Sequence, residues 1–182
     1  MDTEDLPTPA PLLALAYDGW EVIGPLTHPW TPGRRYHATS PDGRTRLNAA
    51  SYAEGIPFSY QLVSTTPAET WGLLASTVAP GAITAAARAA LSRSECAAVT
   101  KILPAAGWRA TLVAGACGFT RETTYAAPDQ VTRAHLITQH RPDTPGSGYW
   151  LIEHAHSHEP AMADAAIPAP VLSAFLLTLA AA

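Results

Sequence analysis

The stretch Ser40-Pro41-Asp42-Gly43-Arg44-Thr45-Arg46 decides how this chain is read, because much of it returns as Ala127-Pro128-Asp129-Gln130-Val131-Thr132-Arg133. In the first stretch proline pre-sets φ, aspartate bonds back to the main chain and glycine accepts a positive φ. That combination predicts a hairpin turn between strands at 35–40 and 44–51. The second stretch keeps Pro128-Asp129 but carries Gln130 where the first has glycine, so a different turn type is expected there.

The likeness extends outward from these turns. Arg34 falls on Arg121, Arg46 on Arg133, and Gly19-Trp20 on Gly107-Trp108. Tyr60-Gln61-Leu62 falls on Trp150-Leu151-Ile152, Pro80 on Pro168, and 82–91 on 170–179. Features recurring in one order indicate an internal duplication. The expected fold class is therefore α+β, in two tandem repeats. Each would be an antiparallel sheet of four or five strands followed by a C-terminal helix packed on it, and the two would form a pseudo-two-fold pair. The expected division is a flexible Pro-rich tail at 1–11, a first repeat at 12–95 and a second at 96–182.

Within each repeat a short helix should end at Gly19 or Gly107, each suited to the left-handed position after a helix. The following tryptophan should open a strand, at 20–23 and 108–113. A fourth strand is expected at 58–65 and 148–155. A fifth is expected at 68–75, with a weaker counterpart near Ala161. The closing helices begin near Pro80 and Pro168. In the second, Val171, Leu172, Phe175, Leu176 and Leu179 form an apolar stripe that needs a surface to cover.

Composition narrows the function. With 47% hydrophobic and 14% charged residues, wholesale disorder is not expected. A net charge of −4 argues against coating duplex DNA by charge alone. Two cysteines, Cys96 and Cys117, make no disulfide framework and read as small free hydrophobes in a reducing compartment. The acidic, Pro-rich start lacks the pattern of a signal peptide, and no apolar run is long enough for a membrane span. A cytoplasmic protein without a membrane partner is expected, and a homo-oligomer is compatible with these features. No Gly-x-Ser-x-Gly elbow and no Gly-rich phosphate loop is present, so nothing marks an enzyme.

The motif Ser40-Pro41-Asp42-Gly43-Arg44, then Tyr60, then Trp71 leading through Pro80 into an Ala-rich helix, resembles the domain of unknown function 317 family of Streptomyces and related actinobacteria. Members of that family are often duplicated. The resemblance implies architecture and no activity. The second half departs from it at Gln130 and around Glu159. A looser topological likeness joins tandem sheet-and-helix units to the Whirly and Pur-type binders of single-stranded nucleic acid.

Three groups of residues are site candidates. The first joins Arg34, Arg44, Arg46, Arg121 and Arg133 with His135, Tyr36 and Tyr125. Guanidinium groups beside aromatics on an open sheet suit single-stranded nucleic acid, through phosphate pairing and base stacking. The structural alternative is that Asp42 and Asp129 pair with these arginines and pin the hairpins. The second is Trp30, in the Pro-rich segment 27–32, a candidate anchor for a protein partner. The other large aromatics, Trp20, Trp71, Trp108, Trp150, Tyr60 and Tyr149, suit a core better than a stacking platform. The third is His154, His156 and His158, which on a strand would face one way and could hold zinc, with Glu159 or Asp164 as a further ligand. The expected function is that of a non-enzymatic binding module. Its favoured partner is single-stranded nucleic acid or a protein that processes it, with a protein–protein adaptor as the alternative and metal binding third.

Overall fold

The computed structural model describes residues 8–28, 31–52, 56–66, 69–92, 98–114, 120–141 and 144–182. The chain begins with helix α1 (Ala10–Tyr17), then strands β1 (Glu21–His28), β2 (Thr31–Thr39), β3 (Thr45–Ser51), β4 (Ser59–Thr65) and β5 (Thr70–Ser76). Helices α2 (Pro80–Ala90) and α3 (Val99–Ala105) follow. The chain then forms β6 (Arg109–Ala114), β7 (Thr120–Ala126), β8 (Thr132–Arg141), β9 (Thr144–His154) and β10 (Ala161–Asp164), and ends with α4 (Ala169–Leu179).

The local signals act as their chemistry requires. Gly19 (φ 84°) and Gly107 (φ 85°) terminate α1 and α3 in the left-handed region. Gly43 takes φ 71° at the β2–β3 turn. Gln130 takes φ 63° at the β7–β8 turn, so the turn there keeps the conformation of the first despite the missing glycine. Each turn closes on the same main-chain bond, Gly43 N–H to Ser40 O at 2.8 Å and Gln130 N–H to Ala127 O at 3.1 Å. Asp129 supports the second turn by accepting from the N–H groups of Val131 and Thr132 and from the Thr132 hydroxyl. Burial raises the Asp129 carboxyl, but the bonds from Thr132 and Val131 outweigh it and hold the group below its ordinary value.

The expectation of two tandem units, each with its own sheet of four or five strands and its own closing helix, is corrected. All ten strands form one antiparallel sheet in the order β1-β2-β3-β4-β5-β10-β9-β8-β7-β6. The seam lies where β10 pairs with β5, with Met162 opposite Leu74 and Ala163 opposite Leu73. Its cause is the edge of β5. Left unpaired, that edge would expose a row of main-chain donors and acceptors, and β10 covers it while also pairing with β9. The Asp164 carboxylate accepts from the Gly72 N–H across the same seam at 2.6 Å. The closing helices do not serve separate sheets either: α2 and α4 pack against each other, α1 against α2, and α3 against α4. The division at 95/96 thus cuts through one common layer. Helix α1 starts at Ala10, inside the stretch 1–11 expected as a tail, and buries Pro11 with Leu12 and Leu15.

Strand alternation places one set of side chains beneath the helices. Tyr36 and Ala38 of β2, Leu47 and Ala49 of β3, Tyr60 and Leu62 of β4, and Trp71, Leu73 and Ala75 of β5 are all buried. Across the seam the same layer continues through Ala161 and Ala163, Trp150 and Ile152, Ala134 and Tyr125. These residues share one cluster with Leu12, Leu15, Ile83, Leu103, Phe175 and Leu176 of the helices. The helices therefore cover one face of the sheet, and the other face carries no layer among the described residues.

Candidate functional site

The bare face is the candidate site, and its side chains follow from the pairing register. Three rows run across the strands. The middle row reads Ile23, His37, Asn48, Gln61, Leu74, Met162, Leu151, His135, Thr124 and Thr111. On one side of it lie Glu21, Thr39, Arg46, Val63, Gly72, Asp164, Tyr149, Ile137, Glu122 and Val113. On the other lie Arg35, Ala50, Ser59, Ser76, Glu153, Arg133, Ala126 and Arg109.

At the centre of this face Leu74 (49% exposed) and Met162 (44% exposed) stand side by side across the seam. Gly72 beside them has no side chain, which leaves a shallow depression of about 240 Å³ bordered by Gln61, Tyr149 and Asp164. In the first half His37 Nδ1 lies 2.6 Å from Asn48 Oδ1, and Asn48 donates to Gln61, forming a polar row toward β1. In the second half His135 stands between two carboxylates. Its Nδ1 is 2.8 Å from Glu122 Oε1 and its Nε2 is 3.4 Å from Glu153 Oε2. Bonding to His135, and then to the Thr124 hydroxyl, lowers the Glu122 carboxyl below its ordinary value.

The predicted arginine–aromatic surface does not assemble. Tyr36 (1% exposed) and Tyr125 (3% exposed) lie under the helices, and burial raises the Tyr125 hydroxyl. Neither can stack on a base at the bare face. Arg34 and Arg121 alternate with Arg35 and Glu122, so they belong to the helix side of the sheet. Arg46 and Arg133 are on the bare face but sit on β3 and β8, with four strands between them. At the usual strand spacing that is roughly 24 Å, too far for one groove. Arg44 lies at the β2–β3 turn, where its N–H donates to the Asp42 carboxylate. The proposed pairing of Asp129 with an arginine is also corrected, since that carboxylate accepts from its own turn.

The three histidines do not lie on one strand. Strand β9 ends at His154, so His156 and His158 fall in the turn before β10 and do not share a strand face. The His154 and His156 rings meet edge to face at 5.2 Å. Among the described residues no group of three or more His, Cys, Asp or Glu side chains is placed to hold a metal ion. Trp20, Trp71, Trp108 and Trp150 are buried in the common core. So is Tyr60, whose hydroxyl is pushed up to about 12 by burial. Trp30, Cys96 and Cys117 lie outside the described residues. No described helix is long and apolar enough to cross a membrane.

Reasoning from sequence missed Arg109 and Glu122. Register places Arg109 beside Ala126, with Arg133 on the strand beyond, so both guanidinium groups border one groove of the bare face. The signal was available in the alternation Trp108-Arg109-Ala110: a buried Trp108 turns Arg109 to the opposite face. No family model, no curated protein and no solved structure matches this chain, so the resemblance to the domain of unknown function 317 family rests on its short motifs alone.

Proposed function

We propose that this chain is a non-enzymatic binding module that takes a protein partner on the bare face of its ten-stranded sheet. The observation that carries the reading is the apolar seam, where Leu74 and Met162 stand about half exposed in the middle of a surface with charged ends. An apolar centre with a polar rim is how protein interfaces are built. The size is suitable too. Ten strands at the usual spacing, each about six residues long with about three of them on the face, span roughly 950 Å², close to one side of a standard interface.

Single-stranded nucleic acid is the weaker partner for this surface. Tyr36 and Tyr125 are buried, which leaves Tyr149 as a candidate aromatic on this face, and the candidate arginines are divided between two faces.

The test is capture by the immobilised full chain, comparing the natural protein with the double variant Leu74→Glu, Met162→Glu. Both positions are about half exposed and two glutamates set directly opposite each other repel, so a modest fall in melting temperature is expected and a thermal melt checks that the double variant is folded. A stoichiometric protein partner retained by the natural chain and lost by the double variant is expected. Equal retention by both, or retention of single-stranded oligonucleotide with no protein partner, would sink the reading. Light scattering of the natural chain alone reports whether the partner is a second copy.

A further inference from the structure

We propose that the groove between Arg109 and Arg133 binds a phosphate dianion, either free or as the end of a phosphate monoester. This goes beyond the protein-partner reading and does not depend on it. The groove has a volume of about 400 Å³ and is floored by Ala126, the small residue between the two arginines in the register. Two strand spacings separate the arginine backbones, roughly 10 Å, which two extended guanidinium groups can bridge around one tetrahedral anion. Thr111 and Gln130 supply further donors at the rim.

Charge is what makes this groove differ from its surroundings. The nearest carboxylates on the same face are Glu122 and Glu153, and both are turned to His135, at 2.8 and 3.4 Å. Neither forms an ion pair with Arg109 or Arg133. No residue lining the groove is acidic. The matching place at the other end of the sheet lacks this excess: there the register sets Glu21 and Arg46 on either side of Thr39, one acid and one base. Even counting Glu153, which the register sets directly opposite Arg133, a dianion would meet a net positive charge at one end of the sheet and a balanced pair at the other.

The turn beside the groove points the same way. Gln130 holds φ 63°, a conformation that costs a side-chain-bearing residue about 1 kcal/mol and that Gly43 adopts freely in the first turn. Gln130 lines the groove, so a polar side chain stands at its border. Phosphate suits the groove better than a carboxylate, because its charge of about −2 and its three terminal oxygens can satisfy both forks at once.

The test is a titration of the full-length chain with inorganic phosphate and, separately, phenyl phosphate, followed by amide NMR at constant ionic strength. Saturable shifts confined to Thr111, Thr124, Ala126 and Ala127 are expected. Arg109→Gln and Arg133→Gln should each weaken binding by about tenfold or more, the effect of losing a charged hydrogen bond. Arg46→Gln should leave it unchanged. Tighter binding of phenyl phosphate identifies the monoester as the ligand, and equal binding identifies the free anion. The proposal is overturned by the absence of saturable shifts, by equal shifts around Arg35 and Arg46, by the same response to acetate, or by unchanged affinity in both arginine variants. The substituted arginines are exposed, and the dispersion of the spectrum confirms that each variant is folded.

Discussion

Replacing Phe175 with alanine is expected to lower stability by about 3–5 kcal/mol, the range for deleting a fully buried aromatic side chain. Phe175 is fully buried on α4, the helix that packs on both α2 and α3. Through α2 the same layer reaches α1. A cavity at Phe175 therefore loosens a core shared by both halves of the chain, and the surrounding side chains can fill it only in part. At this chain length the loss should lower the melting temperature by about 10 °C. The form of the transition matters as much as the shift. One shared core should unfold in a single step, seen alike by near- and far-ultraviolet circular dichroism. Two steps, with only the second half melting early in Phe175→Ala, would show that the halves are stabilised separately.

The second large effect is expected at the seam. Strand β10 is only four residues long and pairs on both sides, with β5 and with β9. Met162→Pro would remove a main-chain donor and force the ring against a neighbouring strand, which interior strands do not accommodate. A loss of about 3 kcal/mol or more follows. Met162→Ala separates this backbone effect from that of the side chain. The Met162 side chain is 44% exposed, so its truncation should cost about 1 kcal/mol or less. Denaturant unfolding of the two variants checks the contrast. Equal losses in both would mean that the side chain, and not the strand pairing, is what matters at this position.

How much was legible in the sequence depended on the range of the interactions involved. Gly19, Gly107 and Gly43 announce their turns because a positive φ is a local demand that glycine meets. The β2–β3 hairpin follows from its turn residues and from alternation on either side. The seam is different. Its pairing joins Leu74 to Met162, far apart in the chain, and nothing local specifies it. Strand β10 is short, and Met162 puts an apolar side chain on the bare face, which blurs the alternation that would mark a strand. Many strands and both closing helices were legible one by one; that all ten strands join in one sheet was not.

The site was legible only in part, and parity explains the rest. Arg46, Arg133 and His135, all among the candidates, lie on the face away from the helices. Tyr36 was grouped with them although it alternates with Arg35 and His37, the residues that do face outward. Once Ala38 is recognised as buried, Tyr36 must be buried too. The three histidines were read as one strand face for a related reason, since alternation was carried past the end of β9 at His154. Arg109 escaped notice because its importance lies in a cross-strand neighbour of a neighbour, which only the register of β6, β7 and β8 reveals.

The bare face is one surface only if β5 and β10 are truly neighbours, and cross-linking measures that directly. With Cys96 and Cys117 replaced by serine, the pair Leu74→Cys, Met162→Cys places two thiols directly opposite each other in an antiparallel register, within the Cα separation of about 4.4–6.8 Å that a disulfide needs. Mild oxidation should close this bridge quickly within a single chain, while the control pair Gln61→Cys, Met162→Cys, one strand farther apart, should stay open. If the first pair stays reduced, or links only between chains, β5 and β10 are not joined, and the continuous sheet with its working face is wrong.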